Sequence, residues 1–293
     1  TIAVTQWTHP SLYPDFTINL PERGVHEVYL EVRNFKPVVL PLHLATQAAR
    51  DRQQELENLG LGTLMGMLLM LIGGCTNHYL QSRSVADGWY TGYAALMTVV
   101  TTNATGLSGM WLWPTSPLWS NYAHMALPVL GVGGTLLFVR HLSSLDVAYP
   151  RLAKTLYACG LAAMPIALLT AAIERQTADF ANSVYLTAGP ILIVIATLLT
   201  WRRGYAVSKW LSMAYVPQAL AVLVVVAQMW HLIPDWWQSR YLLVLSIAVT
   251  VPLLQQALHA RIRERREAEE RAKALPTQDA LTGLLTAPLL QQQ

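Results

Sequence analysis

"YLLVLSIAVTVPLLQQALHA", residues 241–260, contains no lysine, arginine, aspartate or glutamate. A helix needs about 20 predominantly apolar residues to cross a lipid bilayer. Six further apolar stretches of similar length precede this one, and we therefore predict a bundle of seven transmembrane helices. The predicted spans cover residues 57–79, 88–108, 119–140, 152–173, 181–201, 208–230 and 239–260.

The composition of the whole chain also indicates an integral membrane protein. Of its 293 residues, 53% are hydrophobic and 13% are charged, whereas soluble domains carry roughly 25% charged residues. The net charge of +3 is too small to indicate a nucleic-acid partner. Cys75 and Cys159 both lie in apolar stretches, which argues against a disulfide framework. We expect a mainly α-helical membrane protein whose first partner is the lipid bilayer.

The first 45 residues have a different pattern. Apolar and polar residues alternate around 16–20, 28–32 and 40–44, with proline and glycine between them, which is typical of half-buried antiparallel strands. Three strands bury little apolar surface alone, so we interpret residues 1–45 as the end of a truncated β-sandwich. The chain begins in the middle of this pattern, and we expect it to be a fragment. Residues 46–56 are polar and predict a helical connector to the membrane.

Basic residues in the loops predict the orientation of the bundle. Short cytoplasmic loops are enriched in lysine and arginine, and one set of loops carries seven such residues whereas the other carries two. This places the N-terminal strands outside the cytoplasm and the C-terminal arginine-rich segment in the cytoplasm. The seven are Arg83, Arg140, Arg151, Lys154, Arg202, Arg203 and Lys209, and the two are Arg175 and Arg240.

The predicted spans contain almost no ionisable residue near their middle, which argues against a pump or an ion-coupled transporter. The last span has no lysine for a retinal Schiff base. The histidines near the predicted interfaces have no second ligand at helical spacing, so we predict no metal site.

A polar patch occurs near the end of the second predicted span. It has two interpretations: it lines a ligand cavity, or it provides interhelical hydrogen bonds and tight packing, which we favour. The pairs Gly62/Gly66 and Gly88/Gly92 have GxxxG spacing and predict close helix contacts. The patch consists of Thr101, Thr102, Asn103 and Thr105.

After the last span the helical character continues over residues 261–276, but the composition becomes charged. Glu267 and Arg271 form one of two favourable i,i+4 pairs, and Pro276 ends the helix. Two interpretations remain: a solvated helix beside anionic lipid, or a signalling helix that pairs with its copy in a homodimer.

The next segment, 277–293, contains "DALTGL" at residues 279–284. An aspartate can cap a helix and a glycine permits a tight turn before it. The stretch resembles the entry signature of a GGDEF domain and departs from it at Thr286 and Ala287, where that family favours asparagine and arginine. The matching residues are Asp279, Leu281, Thr282, Gly283 and Leu284.

With its seven predicted spans, the chain resembles bacterial seven-transmembrane receptors with diverse intracellular signalling modules. The stretch "EVYLEVRNFKPVVLPLHLAT", residues 27–46, is similar to the end of their periplasmic sensor domain, a jelly-roll sandwich related to carbohydrate-binding modules. The resemblance implies a sensor in the inner membrane of a Gram-negative bacterium, with a carbohydrate as one candidate for the periplasmic ligand. We expect a homodimer formed through the cytoplasmic helix and the output domain.

Through the entry motif, the resemblance also implies a diguanylate cyclase output, which uses Mg²⁺ to join two GTP molecules into cyclic di-GMP. The catalytic GG(D/E)EF loop is not in this sequence, so we predict no catalytic residue here. A histidine kinase or other output module, or a small-molecule transporter, remains an alternative.

The loop charges generate a topology prediction. Reporters fused after Leu142 and after Gly204 should be cytoplasmic, and one fused after Trp113 should be periplasmic, because basic residues stay on the cytoplasmic side. Paired alkaline phosphatase and fluorescent protein fusions measure this. A periplasmic reporter after Gly204 would contradict the seven-span assignment.

Overall fold

The computed structural model describes residues 18, 27, 44–83, 85–143, 145–230, 232–234 and 239–274. Across these residues the chain forms nine α-helices, and the predicted helical class is confirmed. The predicted strands (apart from Ile18 and Leu44) and the motif at 279–284 lie outside the described residues. The helices are α1 (Gln47–Ser82), α2 (Val85–Ala104), α3 (Leu107–Trp111), α4 (Pro117–Leu142), α5 (Leu145–Ala148), α6 (Pro150–Leu169), α7 (Arg175–Arg202), α8 (Ala206–Met229) and α9 (Ser239–Ala274).

Local sequence explains where several helices begin and end. Thr46 caps α1, since its side-chain oxygen accepts a hydrogen bond from the backbone N–H of Ala49. Pro117 and Pro150 occupy the first turns of α4 and α6, where a missing N–H costs nothing. Gly204, with a φ of 87°, makes the left-handed turn between α7 and α8.

Within the described part of the chain, six helices are long and apolar enough to cross a bilayer, namely α1, α4, α6, α7, α8 and α9. The predicted second span corresponds to α2, which has 20 residues but a more polar composition. The hydroxyls of Thr98, Thr101 and Thr102 donate to carbonyl oxygens four residues earlier in the same helix. These polar groups are therefore satisfied within the protein, as a membrane interior requires.

The long helices form a closed ring. Going round it, α1 packs on α2, α2 on α4, α4 on α7, α7 on α8, α8 on α9, and α9 on α1. The remaining long helix, α6, packs mainly against α4 and also contacts α7. Two tyrosine hydroxyls attach α6 to its neighbours: Tyr122 of α4 donates to the Ala167 carbonyl and Tyr185 of α7 donates to the Cys159 carbonyl, both at 2.8 Å.

Closely packed glycines place α4 against three neighbours. A Cβ on Gly133 would lie 2.3 Å from the Ala163 Cβ of α6, and one on Gly134 would lie 2.5 Å from a methyl of Leu96 in α2. A Cβ on Gly189 of α7 would lie 2.2 Å from a methyl of Val132. The helices can approach this closely only because the side chains are absent.

The GxxxG pairs expected to make close helix contacts do so at one of their four glycines within the described residues. A Cβ on Gly88 of α2 would lie 3.2 Å from the Tyr79 ring of α1, which is a close contact between two helices. No described residue of another helix comes within 4 Å of the Cβ positions at Gly62, Gly66 and Gly92. For these three the expectation was wrong, because glycine spacing identifies a smooth helix face but not the partner that covers it.

The contact between α4 and α6 predicts the effect of one added methyl group. Gly133→Ala should lower stability by about 1–3 kcal/mol, as overpacking of a core does, because α4 and α6 must separate. Gly66→Ala is the matched control, since it makes the same change where space is open. Thermal unfolding of the purified protein in detergent measures both. Equal melting temperatures for the two variants would contradict the packing argument.

Candidate functional site

The predicted polar patch lies between helices. Thr101, Asn103 and Thr105 are buried and Thr102 is half-buried. Asn103 Nδ2 donates to the Ala123 carbonyl of α4 at 3.4 Å, and the Thr102 hydroxyl contacts Met65 Sδ of α1 at 3.6 Å. Ser108 donates to Asn103 Oδ1 at 3.1 Å. These contacts support the packing interpretation of the patch.

A cleft of about 920 Å³ lies between α2, α4 and α6, and none of the four patch residues lines it. Its long walls are apolar and aromatic, with Leu96, Leu130, Phe138 and Leu161 among the lining residues. Volumes of about 300–1,000 Å³ and predominantly hydrophobic walls are typical of small-molecule sites. The cleft is therefore the candidate ligand site of the bundle.

The polar end of the cleft is formed where α4 ends and α5 and α6 begin. Arg140 donates through Nε and one terminal nitrogen to Asp146 Oδ1, at 3.2 and 3.0 Å. Its guanidinium carbon also lies 4.6 Å from the centre of the Tyr157 ring. The two charged side chains are 29% and 61% exposed, so their ion pair contributes little stability. Its structural effect is to hold the guanidinium at the mouth of the cleft.

The inner wall of the cleft is a stacked aromatic pair. The ring of Tyr93 lies parallel to that of Phe138, with centroids 4.0 Å apart. The Tyr93 hydroxyl hydrogen-bonds with the Tyr215 hydroxyl of α8 at 2.8 Å and with Thr135 Oγ1 of α4 at 3.3 Å. Because α2 and α8 lie on opposite sides of the ring of helices, the tyrosine pair spans the interior of the bundle.

Contacts continue from this pair to the last helix. Next to Tyr215, the Ala214 carbonyl accepts a hydrogen bond of 3.0 Å from Thr250 Oγ1 of α9. A molecule in the cleft would touch Tyr93 and Phe138, and these side chains connect through α8 to α9. The arrangement can therefore link occupancy of the cleft with the position of α9.

Sequence reasoning missed this cleft. The GxxxG spacing predicts helix contacts for Gly88 and Gly92, but both line the cleft with Trp89 and Tyr93. The run "GWYTGY" at 88–93 contains two glycines and three aromatic residues, which marks this part of α2 as unusual but does not show which helices it faces. Among the described residues, no group of three or more histidine, cysteine, aspartate or glutamate side chains could hold a metal ion.

The tyrosine pair generates a prediction on stability. Tyr93→Phe and Tyr215→Phe should each cost about 0.6–2 kcal/mol, the range measured for hydrogen bonds inside membrane proteins. The double variant should cost clearly less than the sum, because both single changes remove the same bond. Denaturant unfolding in mixed micelles measures the three values. Strict additivity would show that the hydroxyls are not coupled.

Comparison with known protein families gives a match over most of the chain. The family described as 7TM diverse intracellular signalling matches residues 57–261, which is more than half of the chain and covers α2 to α8 completely. No curated protein and no solved structure matches the chain. The family suggests a multi-pass membrane sensor with a varied intracellular output. The chain therefore belongs to the family of seven-transmembrane proteins for diverse intracellular signalling.

Proposed function

We propose that this protein is a transmembrane receptor that controls a cytoplasmic diguanylate cyclase. The observation that carries the proposal is the DALTGL motif at 279–284, which resembles a GGDEF entry signature and lies beyond the last apolar helix. In the proposal, a GGDEF domain begins at this motif and synthesises cyclic di-GMP from two GTP molecules with Mg²⁺. The family membership supports the receptor part of the proposal.

The length of α9 and the charge at its end support a connection to a cytoplasmic output domain. It is one continuous helix of 36 residues from Ser239 to Ala274, or about 54 Å long, whereas the hydrocarbon core of a bilayer is about 30 Å thick. Its sequence becomes charged at Arg261, which forms an ion pair with Glu264 at 3.5 Å. Residues 261–274 can therefore project from the membrane as a rigid extension toward the motif.

The proposed topology has seven spans: the six long apolar helices and, in addition, α2. Its satisfied threonine hydroxyls and its place in the ring support this assignment. With an odd number of spans, the N-terminal segment and α9 end on opposite sides of the membrane. The loop charges favour a periplasmic N-terminus and a cytoplasmic C-terminus.

The partners in the proposal are set by the chemistry of the output. Cyclic di-GMP formation joins two GTP molecules, so two cyclase domains must face each other, which favours a homodimer formed through the cytoplasmic helix and the output domain. A periplasmic β-sandwich, of which residues 1–45 form the end, would complete the receptor, with a carbohydrate as a candidate ligand.

Helical phase provides the test. Each residue inserted into an α-helix rotates the chain beyond it by about 100°, and seven residues return it to within roughly 20° of the original phase. In the full-length protein, seven helix-forming residues inserted after Ala268 should largely keep regulated cyclic di-GMP synthesis. Two inserted residues, a rotation of about 200°, should lock the output on or off. Cellular cyclic di-GMP at matched expression is the measurement.

The measurement distinguishes failure of the cyclase proposal from failure of the rigid coupling through α9. If the full-length protein makes no cyclic di-GMP under any condition, the cyclase proposal is wrong. If it makes cyclic di-GMP and both insertions behave alike, the end of α9 acts as a flexible tether and only the rigid coupling is wrong.

A further inference from the structure

We propose that the cleft between α2, α4 and α6 binds one long-chain fatty-acid anion, with its acyl chain along α4 and its carboxylate at Arg140. This names a ligand class for the receptor and so deepens the proposed function. The site itself is inferred from the geometry of the cleft and does not depend on the nature of the output.

The shape of the cleft fits a single extended chain. Its lining residues on α4 run from Leu130 to His141, and eleven residues of helix extend about 16 Å. On α6 the lining residues Tyr157, Leu161 and Met164 share one helix face. Apolar lining residues on both α4 and α6 favour an apolar chain over a polar ligand.

Glycine makes the space for the chain. Gly92 of α2 lines the cleft, and no atom lies within 4 Å of the position its Cβ would occupy. Every larger residue at this position would place side-chain atoms in the cleft. The Trp89 ring next to it is 59% exposed and lines the same wall.

The charge at the mouth favours an anionic headgroup. Arg140 uses two N–H groups on Asp146, and a guanidinium has five. Lys154 lies on the same α6 face as Tyr157, one turn closer to the helix start, and is exposed. Arg83 comes four residues after Tyr79, another lining residue, whose carbonyl accepts the Arg83 N–H at 2.7 Å. A second carboxylate, the buried Asp87, directly precedes the lining residue Gly88. Three cations against two carboxylates leave a net positive charge at this end.

The test measures binding directly, with the full chain in phosphatidylcholine nanodiscs. The probe is a stearic acid with a mid-chain diazirine, and labelled peptides are located by mass spectrometry. Labelling should saturate and concentrate on α2, α4 and α6. Oleate should compete, oleyl alcohol should compete about tenfold more weakly because it lacks the charge, and phosphatidylglycerol should not compete.

Two leucine variants form the matched pair. Gly92→Leu should abolish saturable labelling by filling the cleft, and Gly66→Leu, on an open face of α1 outside the cleft, should leave it unchanged. Arg140→Gln should reduce the preference for oleate over oleyl alcohol to near one.

Three results would overturn the proposal: non-saturable labelling spread over all lipid-facing helices, equal competition by phosphatidylglycerol, or unchanged labelling in Gly92→Leu. Cyclic di-GMP is not part of this measurement. A failure of fatty-acid binding is therefore distinguishable from a failure of the cyclase proposal.

Discussion

The close approach of α4 to its neighbours is the constraint on which the rest of the bundle depends. Gly131 and Gly134 share the face of α4 that packs on α2, and Gly133 lies on the face that packs on α6. Val132 fits against Gly189 of α7. Helices in lipid gain little from hydrophobic burial, so their association depends on close van der Waals packing. The same contacts set the spacing of α2 and α6 on either side of α4, and that spacing forms the cleft.

Polar contacts in the bundle interior have a different role. Tyr93 and Tyr215 are buried and come from helices on opposite sides of the ring, and their hydroxyls hydrogen-bond to each other in the interior. Burying either hydroxyl alone would leave an unsatisfied donor in a medium without water. A rearrangement that separates α2 from α8 leaves the Tyr93 hydroxyl with Thr135 Oγ1 at 3.3 Å, but it must supply a new partner for the Tyr215 hydroxyl. Two arrangements of the bundle that differ in this hydrogen bond would therefore differ in free energy.

Sequence alone predicts the membrane class, the positions of the long helices and the family, because each rests on an average over about 20 residues. For example, the sequence predicts a span at 119–140, and α4 covers Pro117–Leu142. The cleft could not be predicted, because it depends on which faces of α2, α4 and α6 meet. Glycine at position 92 and glycine at position 133 look alike in the sequence, yet the first faces open space and the second a neighbouring helix.

Prolines in α8 and α9 provide a way for a small displacement of side chains inside the bundle to become a larger displacement of the end of α9. Pro217 lies two residues after Tyr215, and Pro252 lies two residues after Thr250, so both contacts sit beside weakened points of their helices. Pro252 removes the backbone hydrogen bond to the Ala248 carbonyl, and α9 can bend there at low cost. Residues 253–274 then form a lever of about 33 Å. A bend of about 5° at Pro252 moves Ala274 by roughly 3 Å, which in the proposed homodimer would change how the two extensions pack against each other. In the proposed receptor, a change in the cleft would therefore reach the output as a change in helix angle, with no melting of the helix.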